Sequence, residues 1–208
     1  MVRGVFMTYK KKICLEKSMI TSTSNQQMKN LMLLMKKAKA RNEQELFVVE
    51  GRKMFQEVPK EWLKQVYVSE SFFAENDKML AGYTYEIVSD SVFKAVSDTQ
   101  TPQGILCLVR KPQYRLEELL KGADTHLLIL ESIQDPGNLG TMLRTGEGAG
   151  ISGVVMNHTT VDLFNPKTIR STMGSIYRMP FFVTRDLAET ICEPVSYTHL
   201  TLPTICSV

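Results

Sequence analysis

Asp135-Pro136-Gly137-Asn138-Leu139-Gly140-Thr141-Met142-Leu143-Arg144-Thr145 follows directly on the apolar run Leu127-Leu128-Ile129-Leu130. The run reads as a buried strand. Pro136 and Gly137 predict a tight loop, with Asn138 as the cap of the helix that follows. Leu139, Met142 and Leu143 recur at helical spacing and mark one apolar face. The stretch is therefore strand, polar loop and helix, with the helix N-terminus at the strand's carboxyl end. In an open α/β sheet that is where ligands bind. Arg144 lies one turn into the helix, and helical side chains lean toward the N-terminus. An arginine fork beside free helix N–H groups suits a phosphate or another anion. Spacing alone equally admits a solvated surface arginine.

Working upstream, β and α segments alternate. Strands are expected at Leu46–Val49, Gln65–Ser69, Tyr83–Val88 and Gly104–Val109, and helices at Gly51–Val58, Ser71–Leu80 and Ser89–Val96. This alternation predicts a mainly parallel sheet with helices on its faces. An earlier helix is expected to end near Ala40, with a Ser24/Gln27 capping box and an apolar stripe of Met28, Leu31, Met32 and Met35. Lys111-Pro112-Gln113 reads as a linker. Gly148-Ala149-Gly150-Ile151-Ser152-Gly153 matches G-x-G-x-x-G, but it follows a helix and leads into a strand. That order is the reverse of a dinucleotide site, so these glycines end a helix and turn the chain.

Composition narrows the class. The 208 residues are 43% hydrophobic and 23% charged, ordinary for a globular chain. No apolar run is long enough to span a membrane. Cys14, Cys107, Cys192 and Cys206 form no Cys-x-x-Cys pair, so no metal site or disulfide framework is indicated, and a reducing cytoplasm is expected. Net charge is +3, but residues 1–45 alone carry ten Lys/Arg and three Glu, a local +7. A basic arm on a mildly acidic body suits contact with nucleic-acid phosphates as well as it suits a solvated helix.

Four ordered blocks carry a resemblance. These are Phe47-Val48-Val49-Glu50-Gly51, the loop Ser97-Asp98-Thr99-Gln100-Thr101-Pro102-Gln103-Gly104, the Asp135–Thr145 stretch, and Asp162-Leu163-Phe164-Asn165-Pro166-Lys167 with Ser171-Thr172-Met173-Gly174-Ser175-Ile176-Tyr177-Arg178-Met179-Pro180. Over roughly Met19 to Thr190 the chain resembles the SpoU (TrmH) family of RNA ribose 2′-O-methyltransferases that carry an N-terminal substrate-binding domain. The resemblance implies an L30e-like α/β domain followed by a SPOUT-type α/β-knot methyltransferase domain. It implies S-adenosylmethionine as cofactor and ribosomal or transfer RNA as partner, in the cytoplasm and without a membrane.

By the same resemblance Asn138 and Arg144 are the catalytic candidates, with Asn165 and Arg170 behind them. Asn165-Pro166-Lys167 reads equally as a helix start, and Glu147, three residues after Arg144, is placed to pair with it on the surface. RNA contact is expected from Arg144, Thr101, Gln103, Lys36, Lys37, Lys39 and Arg41. The family's two later motifs, which form the knot and hold the cofactor, are not found, so the cofactor-binding residues are unknown and the methyltransferase domain is expected to be incomplete. The family's homodimerisation is not expected of such a copy.

The division expected is residues 1–18 as an extension, 19–112 as RNA-binding domain, 113–126 as linker and helix, 127–193 as partial methyltransferase domain and 194–208 as a tail. Val195–Thr204 resembles a translated sequencing adapter, so Tyr197 and His199 are set aside. An inactive copy of a 2′-O-methyltransferase and a non-catalytic RNA-binding module are the two leading readings. A structural ribosomal subunit would leave the second α/β unit unexplained. Residues 1–18 lack apolar periodicity, so deleting them is expected to leave the thermal midpoint unchanged; a fall of several degrees in a melting experiment would overturn this.

Overall fold

A computed structural model describes residues 19–121 and 124–195. The expected leading extension, the adapter-like segment from Ser196, Cys14 and Cys206 lie outside the described residues, as does the Cys192 side chain. Among the described residues, helices α1 (Gln26–Lys36) and α2 (Ala38–Gln44) lead into β1 (Leu46–Glu50) and α3 (Arg52–Glu57). β2 (Leu63–Ser69), α4 (Glu70–Asn76), a 3₁₀ turn (Asp77–Leu80), β3 (Tyr85–Val88), α5 (Asp90–Val96) and β4 (Ile105–Arg110) complete the first unit. The second unit holds α6 (Leu116–Leu119), β5 (Leu127–Leu130), α7 (Pro136–Gly148), β6 (Gly153–Asn157), α8 (Pro166–Thr172), a 3₁₀ turn (Ser175–Tyr177), β7 (Phe181–Thr184) and α9 (Leu187–Val195).

The first sheet has strand order β1-β4-β2-β3, and the second β5-β6-β7. The second is parallel throughout, as the alternation predicts. The first corrects that prediction, because β4 runs antiparallel to both β1 and β2 and only β2–β3 is parallel. Alternation counts elements but not directions. Inserting β4 between β1 and β2 reverses the sense that a simple βαβ succession would have.

Two-sided burial explains the unbroken apolar strands of the first unit. Leu46 and Val48 of β1, Tyr67 of β2 and Leu106 and Leu108 of β4 pack with Met28, Leu31 and Leu34 of α1 and with Val92 and Phe93 of α5. The alternate residues Phe47, Val49, Val66, Val68, Ile105, Cys107 and Val109 face the other way, into a core shared with Leu130, Leu139, Leu143, Phe164, Ile169 and Tyr177 of the second unit. The period of two in a strand thus serves two cores at once.

The α1 reading needs three corrections. Its cap is Asn25, whose side chain accepts from the Gln27 N–H at 2.8 Å, in place of a Ser24/Gln27 box. The helix stops at Lys36, with Lys37 extended at φ −120°, and α2 is a separate short helix. Its buried line is Met28, Leu31 and Leu34, while Met32 and Met35 are only partly covered. The helix expected over Ser71–Leu80 is likewise α4 plus a 3₁₀ turn. In α7 the cap is Asp135, whose carboxylate accepts from the Asn138 N–H, so Asn138 is already inside the helix. The Gly148–Gly153 reading holds, since α7 ends there and Gly150 turns at φ +77° before β6.

α7 and α8 pack face to face through Gly140. A Cβ at that position would stand 2.5 Å from Ser171 Cβ and 2.6 Å from the Thr168 carbonyl oxygen, which is backbone and cannot yield. Gly140→Ala is therefore expected to cost about 1–3 kcal/mol of stability by overpacking, despite its better helix propensity. Urea unfolding midpoints measure this, and an unchanged or raised midpoint would refute it.

Candidate nucleic-acid interface

The loop between β5 and α7 is held by a residue that the sequence reading did not single out. Asn157, 8% exposed at the carboxyl end of β6, accepts from the Ser132 N–H at 2.8 Å and from Thr160 Oγ1 at 2.8 Å. Its amide nitrogen also reaches Ser132 Oγ at 3.1 Å. Ser132 sits at φ 54°, a left-handed conformation uncommon for a residue with a Cβ, so these bonds hold a strained turn. Gln134 adds donations to the Ser132 and Thr159 carbonyls. The only sequence signal for Asn157 is one polar residue closing an apolar strand.

From this fixed loop α7 carries its two candidates outward. Asn138 is exposed, and its N–H is used by Asp135. That bond, then the Lys167 ammonium at 3.3 Å, holds the Asp135 carboxyl below its usual range. Arg144 is exposed six residues on, about 9 Å further along the helix axis. It has no ion-pair partner among the described residues, and the expected pairing with Glu147 is not made. Glu147 instead takes Arg178, which also binds Glu57 of the first unit at 2.7 Å. Hydrogen bonding to Glu147, and next to Glu57, raises the Arg178 pKa, while the Arg178 hydrogen bond holds Glu147 below its ordinary range. Arg170 is taken too, by Asp98 at 2.6 Å. Asn165 caps α8 by accepting from the Lys167 N–H at 2.9 Å, a structural task.

The remaining candidates divide. Lys36, Lys37 and Lys39 are exposed, with Lys39 near Glu43 at 3.8 Å. Thr101 is exposed in a loop whose start is pinned, because Ser97 and Thr99 donate to Glu50 Oε1 at 2.6 and 2.5 Å. Gln103 is partly committed, since its carbonyl oxygen accepts from the Arg52 N–H at 2.9 Å. Arg41 is the clear correction. It is 3% exposed, and its guanidinium binds Asp162 and the Leu34 and Met35 carbonyls, so it presents nothing to RNA.

A cavity of about 810 Å³ lies between the ends of β6 and β7, α2 and the linker. Tyr114, Phe164, Phe181 and Phe182 line it together with Lys111, Asn157, His158 and Asp162. Burial pulls the Lys111 pKa down; its ammonium donates to Asn42 at 2.7 Å and stands 4.7 Å over the Phe164 ring.

Residues 25–107 match the MRM3-like substrate binding domain, and residues 125–202 match the SpoU rRNA Methylase family, a match that runs past Glu193. Over 176 residues the chain is 35% identical to 23S rRNA (guanosine(2553)-2'-O)-methyltransferase RlmP of Bacillus subtilis, covering 84% of this chain and 68% of the relative. It is 34% identical to human mitochondrial rRNA methyltransferase 3 over 75% of this chain but only 39% of that protein. A solved RNA 2'-O ribose methyltransferase superposes with a TM-score of 0.70 at 28% identity, covering 86% of this chain and 70% of the other. An AdoMet-bound rRNA methyltransferase from Sinorhizobium meliloti gives 0.68 at 25% identity, over 80% of this chain and 64% of that one.

Fold and sequence similarity thus define an α/β protein of SPOUT type. The chain belongs to the SpoU family of rRNA methylases, S-adenosylmethionine-dependent RNA 2′-O-methyltransferases.

Several polar groups of the cavity are already engaged within the protein. In the cavity the Asn157 amide, the Asp162 carboxylate and the Lys111 ammonium all have protein partners. Among the described residues the one buried side-chain oxygen without a hydrogen bond is Glu50 Oε2, which is not in this cavity. A cofactor site keeps a few polar groups aimed at its ligand; in this cavity Lys111 spends one of its three ammonium donors on Asn42, and His158 is exposed.

Two outcomes follow. Asn157→Leu removes the acceptor of the Ser132 N–H and of Thr160 Oγ1 and is expected to cost about 0.5–1.5 kcal/mol per bond lost, read as a lowered urea midpoint; stability equal to wild type would refute the loop-holding role. Glu147 has its pKa depressed from 4.5, so its ion pair stabilises fully above that value and is lost as pH falls through the lower folded value. Thermal stability of Glu147→Gln should therefore fall less than wild type on acidification from pH ~5 to ~3; parallel declines would refute it.

Proposed function

We propose that this chain binds ribosomal RNA through the α1–α2 lysines and Arg144 and serves in methylation of a ribose 2′-hydroxyl. The observation that carries this reading is Arg144 itself. It is an exposed cation without an acidic partner among the described residues, on a helix whose neighbours Arg170 and Arg178 are both paired. An arginine stays protonated, so Arg144 is not a base. It holds a substrate phosphate by charge-assisted hydrogen bonds and favours negative charge developing on the ribose oxygen. Asn138, a turn and a half earlier, offers a neutral amide to the same strand. The exposed lysines add sequence-independent affinity. The protein acts where ribosomal RNA is found, which for a bacterial-type relative is the cytoplasm.

A second reading, RNA binding without transfer, is favoured by the occupied polar groups of the cavity. Transfer of labelled methyl from S-adenosylmethionine to bulk ribosomal RNA separates the two. Binding without label supports the second reading, and no binding sinks both. Where label is transferred, Arg144→Ala is expected to lower kcat/KM by about 100–1000-fold, or about 2.7–4 kcal/mol, as for loss of one oxyanion donor. A rate within a few-fold of wild type would refute the role of Arg144.

A further inference from the structure

From the buried Arg41–Asp162 ion pair we infer that these two residues fix the basic helices relative to the helix that carries Arg144, so that one RNA molecule meets both. The inference rests on the RNA-binding reading above. Arg41 lies in α2, just after Lys36, Lys37 and Lys39, and Asp162 lies 121 residues later in the second unit. Nε and Nη2 of Arg41 reach the same Asp162 oxygen at 2.8 and 2.5 Å, and Nη1 reaches the Leu34 and Met35 carbonyls at 2.5 and 3.1 Å. One guanidinium thus ties the end of α1 to the second unit. An arginine fork fixes direction as well as distance, which a lysine cannot do.

Asp162 passes this constraint on. Its other carboxylate oxygen accepts from the Phe164 N–H at 3.0 Å, and its carbonyl from Thr168 Oγ1 at 3.3 Å. Thr168 belongs to α8, and its carbonyl lies in the close packing against Gly140 of α7. Four residues beyond Gly140 is Arg144. The chain of contacts therefore runs from the lysines, through Arg41, Asp162 and Thr168, to the helix that presents Arg144. A hydrophobic pair of similar size would hold the units together as strongly, since buried ion pairs add little net stability. What the pair adds is one defined orientation.

The test is a double-mutant cycle on RNA affinity. Arg41→Met alone would strand the Asp162 charge, so the joint variant Arg41→Met/Asp162→Asn is used, with circular dichroism and a melt confirming that it folds. Binding to a 23S rRNA transcript is measured over a range of salt. In the wild-type background Arg144→Ala is expected to weaken binding and to reduce the salt slope by about 1. In the joint variant Arg144→Ala is expected to weaken binding less than it does in the wild-type background, while replacing Lys36, Lys37 and Lys39 by alanine still weakens binding. Equal effects of Arg144→Ala in both backgrounds would overturn the inference and leave the pair a structural one. Absence of RNA binding by the wild-type chain is a different result, and overturns the functional reading together with the inference built on it.

Discussion

Phe47 meets Phe164 with ring centres 4.8 Å apart, and apolar burial of this kind holds the two units together. Phe164 also touches Phe181, which touches Tyr114 of the linker, so one aromatic chain joins β1, the loop before α8, β7 and the linker. Tilted and edge-on ring pairs of this kind add specificity to plain apolar burial. The first sheet needs this cover. Its helices α1 and α5 bury one face, and the other is covered by Met54, Phe55 and Phe72 of its own α3 and α4 together with Leu130, Leu139, Leu143, Phe164 and Ile169 of the second unit.

Around this apolar joint runs a rim of charge. Arg41–Asp162, Arg170–Asp98 and Arg178–Glu57 each link the first unit to the second. They differ in what surrounds them. The first pair is nearly dry on the arginine side, at 3% exposure, and the other two are half in solvent. Half-exposed pairs contribute little stability. Their larger effect is to occupy Arg170 and Arg178, whereas Arg144 has no ion-pair partner among the described residues.

The turn before α7 shows how such a site is kept rigid. Ser132 is held in the left-handed region and Asn157 satisfies its backbone and its hydroxyl together. Strain of this kind persists only where the surroundings over-determine it. The strand end, the turn and the start of α7 consequently move as one piece, and the position of Arg144 is inherited from β6 as much as from its own helix.

Much of this was legible in the residues. The Leu127–Leu130 strand, the helix bearing Arg144, the helix-ending glycines and the Asn165 helix start are all local matters. Periodicity, Pro and Gly report on them because they depend on neighbours a few positions away. The motifs themselves were enough to name the family. What the sequence alone did not settle depended on partners far along the chain. The antiparallel placing of β4, the preference of Glu147 for Arg178 over Arg144, the pinning of the Ser97–Gly104 loop by Glu50 and the burial of Arg41 against Asp162 are all contacts across dozens of residues. A charged side chain looks the same in a sequence whether it faces water or a carboxylate 121 positions away. Only packing decides which, because burying a charge requires its partner to arrive with it.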